Sequence, residues 1–205
     1  KINDKSTKSI PLLNASVGVD LNNLNSMRVE KYYDIIFFGS LWYEPNINAV
    51  IWLINKVMKY VWRENKKIKL LIAGSNPSKA IKNICLINKN ISLIRNPKNM
   101  EELIRASKVS VAPMLSGSGQ QNKIIEAMSL DIPVVTTSIA AKPLELVNKK
   151  HLLVADMPED FANSILDLII NRNLSQELVK NSKSLINEKY NWNKLVENLV
   201  KKVYK

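Results

Sequence analysis

The sequence predicts an α/β domain whose sheet is doubly wound, mostly parallel and covered by helices on both faces. Short apolar runs alternate with longer spans of helical periodicity from Tyr33 to the end of the chain, an order that is typical of parallel sheets. Strands that alternate with helices in this way form a sheet whose two faces are both covered. A chain of 205 residues is long enough to bury one core of this kind.

Six apolar runs are predicted to be strands, and each is followed by a span with helical spacing. The first helix is the clearest, because Val50, Ile54 and Val57 recur at helical spacing. Pro45 lies where proline is tolerated near a helix start. The carboxyl ends of strands in such a sheet meet at one edge, where ligands bind. The predicted strands are residues 35–38, 69–73, 91–94, 109–112, 132–136 and 152–155.

A glycine loop follows the fourth predicted strand and opens a helix. Gly117 and Gly119 lack side chains, so the backbone N–H groups of the loop can approach an anion closely. The helix adds the unpaired N–H groups of its first turn and the partial positive charge of its dipole. We therefore predict that a diphosphate binds at Gly117, Ser118, Gly119 and Gln120.

One face of that helix is predicted to be polar. Asn122, Lys123 and Glu126 are spaced to share it, whereas Ile124 and Met128 point the other way. Lys123 can meet a phosphate near the helix start, and Glu126 lies about 10 Å from the loop at ~1.5 Å per residue. A carboxylate there can accept two hydrogen bonds from a ribose diol. Without a ligand, Lys123 and Glu126 would be only a solvated surface pair.

Several segments occur in the order seen in a known enzyme family. The central one runs from Gly117-Ser-Gly through Lys123 and Glu126-Ala-Met to Pro133-Val-Val-Thr-Thr. Together the segments resemble the C-terminal, donor-binding domain of family 4 glycosyltransferases, from about residue 33 to the end of the chain. The resemblance implies a Rossmann-like domain that forms one half of a GT-B enzyme. The flanking segments are Phe38-Gly39, Pro45-Asn46, Leu71-Ile-Ala-Gly74, Val109-Ser-Val-Ala-Pro113, His151-Leu-Leu-Val-Ala-Asp156 and Tyr190-Asn-Trp192.

The resemblance implies a role for each part of the central segment. The loop amides and Lys123 would bind the donor diphosphate, and Glu126 would bind the nucleotide ribose. The donor would be a UDP-, GDP- or ADP-sugar, with retention of configuration, no other cofactor and no metal. The catalytic groups stay unassigned, because acceptor groups in these enzymes come largely from the N-terminal domain, so we expect this chain alone to bind without turnover. Further candidate cleft residues are Gly39, Ser40, Arg95, Asn122 and Thr136.

The chain departs from the family pattern at two places near the donor. The commonest pattern has two glutamates separated by seven residues, and Ser118 stands where the first, which contacts the donor sugar, would be. Many members carry an arginine and a lysine after the first strand, whereas this chain has Ser40 to Glu44 there. Ser118 favours, as an alternative, a non-catalytic nucleotide-binding domain of a carbohydrate pathway. A dinucleotide-binding oxidoreductase domain is disfavoured, because neither Gly39 nor Gly74 begins a Gly-x-Gly-x-x-Gly turn.

Residues outside the central segment receive simpler interpretations. Residues 1–31 are polar and irregular and are predicted to be an interdomain linker. Residues 32–205 are predicted to be the nucleotide-sugar-binding domain, with a long C-terminal helical segment. We expect Arg95 to be exposed, His151 to make a structural hydrogen bond, and two aromatic residues near the C-terminus to pack against the domain, Tyr190 and Trp192.

Composition limits the compartment and the partners. A single cysteine, Cys85, excludes an internal disulfide and suits a reducing cytoplasm. No stretch approaches the ~18 apolar residues of a membrane span.

The net charge is +12, yet only five of the 30 basic residues are arginine and the lysines are scattered among 25 asparagines. Nucleic-acid readers rely on arginine forks and stacked aromatics, so no nucleic-acid partner is predicted. Peripheral contact with an anionic membrane surface suits the charge and a lipid-linked acceptor, since each nearby Lys or Arg can contribute about 1 kcal/mol.

Overall fold

A single parallel sheet organises the chain. The structure, a computed structural model, describes residues 18–21, 29–117, 119 and 121–203. Within them, six strands pair in the order β3-β2-β1-β4-β5-β6, and every neighbouring pair is parallel. All six predicted strands are therefore confirmed. They are β1 (Tyr33–Ser40), β2 (Leu70–Ser75), β3 (Ile91–Arg95), β4 (Ser107–Ala112), β5 (Val134–Thr136) and β6 (Leu153–Val154).

Helices connect the strands and cover both faces of the sheet, which confirms the doubly wound fold. They are α1 (Glu44–Trp52), α2 (Met58–Glu64), α3 (Lys79–Leu86), α4 (Met100–Arg105), α5 (Asn122–Ser129), α6 (Ser138–Ala141), α7 (Pro158–Ile170), α8 (Arg172–Leu185) and α9 (Trp192–Val203). A π-helical segment, Leu53–Val57, joins α1 to α2, and a second one, Ile186–Tyr190, follows α8. A 3-10 turn, Lys142–Leu144, follows α6.

The first helical span is divided where the sequence predicts one continuous helix. Its apolar stripe is nevertheless buried as expected, because Val50, Val57 and Val61 have no exposed surface. Each aliphatic side chain buried in this way contributes roughly 1.5–3 kcal/mol. Trp52 meets the ring of Phe161 edge to face, with 5.5 Å between ring centroids. This ring contact joins the end of α1 to α7, which packs mainly against α2 and the π-helical segment.

Strand β5 begins two residues later than predicted, for a local reason. Pro133 has no N–H group to donate to a neighbouring strand, and the Ile132 N–H donates to the carbonyl of Ala127 at the end of α5. Pairing with β4 therefore starts at Val134, opposite Ser110. The apolar run includes Ile132, but the N–H of Ile132 bonds to the end of α5 and not to a neighbouring strand.

The strand order reverses between β1 and β4. From β1 the chain builds outward through β2 and β3, and then β4 pairs with the other side of β1. A crevice forms outside the carboxyl ends of the strands at such a reversal, and ligands of open α/β sheets bind there. Ser40 ends β1 and Ala112 ends β4. The glycine loop leaves β4 at this point.

The C-terminal segment packs back on the domain through Tyr190. Its side chain is 4% exposed, and its hydroxyl donates to the Leu144 carbonyl at 2.8 Å. The Val19 N–H donates to the Tyr190 carbonyl, and the Trp192 N–H donates to the Val19 carbonyl. Tyr190 thus packs as predicted, whereas Trp192 is 53% exposed. Most of the predicted linker 1–31 lies outside the described residues.

Among the helices that the structure describes, none combines the length and the apolarity needed to cross a membrane.

Candidate functional site

The hydroxyl groups of Thr136 and Thr137 hold the segment that leads into the glycine loop. Thr136 donates to the Ala112 carbonyl at 2.8 Å, and Thr137 donates to the Met114 carbonyl at 2.6 Å. Thr136 has no exposed surface, so the prediction that it lines the cleft is wrong for its side chain. A threonine at the end of a buried strand satisfies its hydroxyl within the protein, because an unpaired buried polar group costs free energy. Both residues support the loop rather than face a ligand.

The loop leaves its backbone open on the solvent side. Gly117 has a φ of +129°, a conformation that residues with a side chain rarely adopt. A side chain at Gly119 would meet no atom within 4 Å. Ser118 and Gln120 lie outside the described residues, so their predicted part in diphosphate binding stays a prediction. The two glycines have the accessible backbone that anion binding requires.

Helix α5 begins directly after the loop. No side-chain hydrogen bond caps its first turn within the described chain, and Gln121 occupies the N-cap position. The first-turn N–H groups of a helix have no partner within the helix, and together with the helix dipole they favour an anion at this position. Asn122 is exposed there, and its place in the cleft stays a prediction. The helix points its amino end at the crevice beyond β1 and β4.

Lys123 is buried instead of lying on the surface. Its side chain leaves α5 toward β1, and the residue is only 9% exposed. Nζ donates to Asn46 Oδ1 at 2.6 Å and lies 4.3 Å from the centroid of the Phe37 ring. The sulfur of Met114 is 3.8 Å away. In the part of the chain that the structure describes, no carboxylate comes within ion-pair distance of this amine.

Burial changes the charge state of this amine. It lowers the pKa of Lys123 to about 7, and the charge of Glu126 opposes this only in part. The charged form of a lysine is disfavoured away from water unless an anion is close by. A phosphate in the crevice would supply that anion. The structure thus rejects the simple reading of Lys123 and Glu126 as a solvated surface pair.

Glu126 lies one turn farther along α5 and is exposed. Among the described residues its carboxylate has no hydrogen-bond or ion-pair partner. Desolvation by the surrounding protein raises the pKa of Glu126, and the charge of Lys123 opposes the shift. Ile124 and Met128 face the core, as the spacing predicts. A free carboxylate therefore stands beside the crevice, one turn beyond the amine.

The other candidate residues lie at different distances from the crevice. Gly39 is at the carboxyl end of β1 with a φ of +144°, and Ser40 beside it is exposed. Arg95 is exposed at the end of β3, two strands away from β1. His151 accepts a hydrogen bond from the Val147 N–H through Nδ1 at 3.2 Å, the structural bond that was predicted. Gly39 and Ser40 thus end a strand at the reversal of strand order, and Arg95 ends the outermost strand on that side of the sheet.

Asn46 contacts the amine of Lys123, although the sequence marks it only as part of a flanking segment of the resemblance, Pro45-Asn46, and assigns it no role. It is 6% exposed in the first turn of α1 and binds the amine of Lys123 from a position 77 residues earlier in the chain. No local pattern marks it, because asparagine is common in this chain and the contact joins two helices. Nothing in the spacing of the motif around Lys123 points to α1.

We expect the stability of the protein to depend on pH through Lys123. Between pH 7 and pH 10 the unfolded chain holds a proton on this amine that the folded chain has lost, so the free energy of unfolding should rise with pH, by about 1 kcal/mol per pH unit. Lys123→Met removes this contribution. Urea unfolding at several pH values would show a slope for the wild type that the variant lacks. Equal slopes for both proteins would contradict the assignment.

Comparisons with known proteins identify one family and one curated relative. A family model described as "Glycosyl transferases group 1" matches residues 32–171. A curated relative, described as an uncharacterized 44.6 kDa protein in the cps region of Klebsiella pneumoniae, is 30% identical over 190 residues. The matched region is 89% of this chain and 46% of the relative. The chain thus spans about half the length of the curated relative.

Two solved structures have the same fold. A mutant of S. aureus TarM, in complex with fondaparinux, alpha-GlcNAc-glycerol and UDP, superposes with a TM-score of 0.75 at 21% identity over 92% of this chain and 38% of TarM. The C-terminal domain of a glycosyl transferase group 1 family protein (LpcC) from Francisella tularensis superposes with a TM-score of 0.64 at 17% identity. That match covers 85% of this chain and 100% of the domain. At these identities the likeness concerns the fold.

Proposed function

The chain belongs to the glycosyl transferases group 1 family, and we propose that it is the donor-binding half of a glycosyltransferase that uses a nucleoside-diphosphate sugar. One observation carries the proposal: a buried amine, Lys123, and a free carboxylate, Glu126, stand one turn apart on a helix that follows a glycine loop at the strand-order reversal. The amine and the loop amides suit a diphosphate, and the carboxylate suits a ribose. The groups that suit the diphosphate and the group that suits the ribose follow each other along α5 in the order of these parts in a nucleoside diphosphate.

The same geometry suits the chemistry of sugar transfer. When the bond between the anomeric carbon and the diphosphate oxygen breaks, negative charge develops on the departing diphosphate. The loop amides and Lys123 would stabilise that charge, and donors fixed in place before the reaction contribute strongly in many enzymes. Retention of configuration and independence from metal follow from family resemblance.

The acceptor belongs to the part of the enzyme that this chain does not span. We propose a carbohydrate or a lipid-linked acceptor, held by an N-terminal domain across the crevice, with the chain binding the donor but not turning it over alone. The 30 basic against 18 acidic residues support contact with an anionic membrane surface in the cytoplasm, where a lipid-linked acceptor would lie. The UDP in the TarM complex makes a uridine donor the first to test.

Titration of the chain with UDP, GDP, ADP and NADH by calorimetry tests the proposal. We expect one nucleoside diphosphate to bind and Glu126→Ala to weaken it about 10- to 100-fold, because hydrogen bonds to a charged group contribute about 1.5–3 kcal/mol. Glu177→Ala is the matched control, since Glu177 is also exposed but lies on α8. If Glu126→Ala does not change the affinity, the ribose does not bind at Glu126. If no nucleoside diphosphate binds, the proposal is rejected.

A non-catalytic nucleotide-binding domain is the second candidate, favoured by Ser118 in place of the usual glutamate. It predicts the same binding results but no transfer and no donor hydrolysis by the full-length protein. Sugar release from a bound donor by the full-length protein would exclude it. The family match does not support the dinucleotide-dependent oxidoreductase, and the NADH titration tests it directly.

A further inference from the structure

Two side-chain nitrogens, Asn46 Nδ2 and Lys123 Nζ, lie beside Gly39 at the end of β1, and the place where they meet this glycine is called the pocket below. A Cβ atom built on Gly39 would lie 3.3 Å from Asn46 Nδ2 and 3.4 Å from Lys123 Nζ. Both nitrogens therefore face the backbone of Gly39 directly, with no side chain between them and the glycine. Because the φ of Gly39 is +144°, a residue with a side chain would be strained there as well as crowded. Both nitrogens carry hydrogens that can be donated to an acceptor at this position.

The orientation of the Asn46 amide is fixed by two partners. Nδ2 donates to the Ser40 carbonyl at 2.9 Å, and Oδ1 accepts from Lys123 Nζ at 2.6 Å. The amide nitrogen carries two hydrogens, and the Ser40 bond uses one of them. The other hydrogen is left for the pocket. The ammonium form of Lys123 carries three hydrogens, of which one is directed to Asn46 Oδ1 and a second to the Met114 sulfur.

The surroundings of Lys123 explain how its charge can depend on a ligand. Its contacts on β1, α1 and the loop after β4 are Phe37, Asn46 and Met114, none of which titrates. Glu126, on its own helix, is the titratable group that acts on it. Burial holds the pKa of Lys123 at about 7, so at pH 8 the amine is mostly neutral. An anion in the pocket would restore the ammonium form.

We propose that Asn46 positions the amine of Lys123 over Gly39, and that the donor diphosphate enters this pocket together with one proton. The proton comes from the solvent and adds to Nζ, so the pocket becomes an ammonium and an amide N–H that both donate to phosphate oxygen. This inference rests on the proposed function, because the ligand is the diphosphate of the same donor. It assigns to Asn46 a positioning role through Lys123.

Calorimetry at pH 8 measures the proton directly. UDP is titrated into the chain in two buffers with different enthalpies of ionisation, Tris and HEPES, and phosphate buffer is avoided because it would compete. Phosphate groups with a second pKa of about 6 are fully ionised at this pH, so UDP itself exchanges few protons. The difference in measured heat should correspond to uptake of close to one proton by the wild type and none by Lys123→Met.

Two substitutions at Asn46 separate positioning from packing. Asn46→Ala removes the acceptor for Nζ and one pocket donor, and should weaken UDP binding about 10- to 100-fold. Asn46→Asp gives Lys123 a carboxylate partner that keeps it charged before UDP arrives, so proton uptake should disappear and UDP should bind more weakly. Asn48→Ala, at an exposed position on the same helix, should leave both the affinity and the proton uptake unchanged.

The outcomes distinguish this inference from the proposed function. If UDP binds and Glu126→Ala weakens it, but Asn46→Asp retains the uptake and affinity of the wild type, the inference is overturned and the proposed function stands. If Asn46→Ala binds UDP more weakly but the wild type takes up no proton, Asn46 contributes by packing alone and the inference is also overturned. If no nucleoside diphosphate binds the wild type, both fail. Thermal unfolding of each variant confirms that it is folded before it is titrated.

Discussion

Gly74→Ala is expected to lower the free energy of unfolding by at least about 3 kcal/mol, because overpacking and a strained backbone act together at this position. Gly74 lies opposite Gly39 in the pairing of β2 with β1. A Cβ atom on Gly74 would lie 1.8 Å from the carbonyl oxygen of Gly39 and 2.9 Å from Leu41 Cγ. The contact is with backbone near the carboxyl ends of two neighbouring strands, so it cannot be relieved by rotating a side chain.

Urea unfolding followed by circular dichroism would measure this loss. The matched control is Gly119→Ala, because a Cβ there would meet nothing within 4 Å, and its effect should be within about 0.5 kcal/mol. A native stability of about 5–15 kcal/mol leaves room for the variant to be only partly folded. Equal unfolding midpoints for Gly74→Ala and the wild type would contradict the close approach of β1 and β2.

The same substitution connects the sheet to the site. Relief of the clash requires Gly39 or Leu41 to move, and Gly39 forms the floor of the pocket between Asn46 and Lys123. A fraction of Gly74→Ala that does fold should therefore bind UDP more weakly than the wild type. Two glycines on neighbouring strands thus have different functions. Gly74 permits the strands to pair closely, and Gly39 keeps the pocket open.

The strands and the helix periods could be predicted from the sequence because each depends on residues close together in the chain. Continuous apolar runs such as Ile35 to Phe38 are almost fully buried in the sheet. The start of β5 could be predicted less well, since it depends on where the Ile132 N–H finds its partner. The division of the first helical span by a π-helical segment has no signal that we can identify in the sequence.

Only the local part of the candidate site could be predicted from the sequence, for a similar reason. The glycine loop and the spacing of Lys123 and Glu126 are local, and the structure brings both residues to the expected edge of the sheet. Helical spacing also predicts a shared polar face, but Lys123 turns inward because Asn46 and Phe37 receive its amine. That choice depends on a contact across 77 residues. Local pattern therefore identified the lysine and missed its environment.

Lys123→Met is expected to weaken binding of the nucleoside diphosphate at least about 30-fold, since truncating one partner of a buried charge pair costs about 2–5 kcal/mol. Methionine retains the length and the apolar contacts of the lysine stem beside Phe37 and Met114. The substitution therefore removes the amine and little else. Calorimetry with UDP at pH 8 gives the affinity, and Lys180→Met, an exposed lysine on α8, controls for the loss of one positive charge.

Stability and binding should change in opposite directions in this variant. The free protein buries an amine that prefers water, so Lys123→Met should be at least as stable as the wild type near pH 7. A loss of binding then cannot be attributed to unfolding. If Lys123→Met were instead less stable and bound UDP normally, Lys123 would be a packing residue, and the diphosphate would have to be held by the loop amides alone. If Lys123→Met is stable but no longer binds UDP, burial of this amine destabilises the free protein and serves to bind the phosphate.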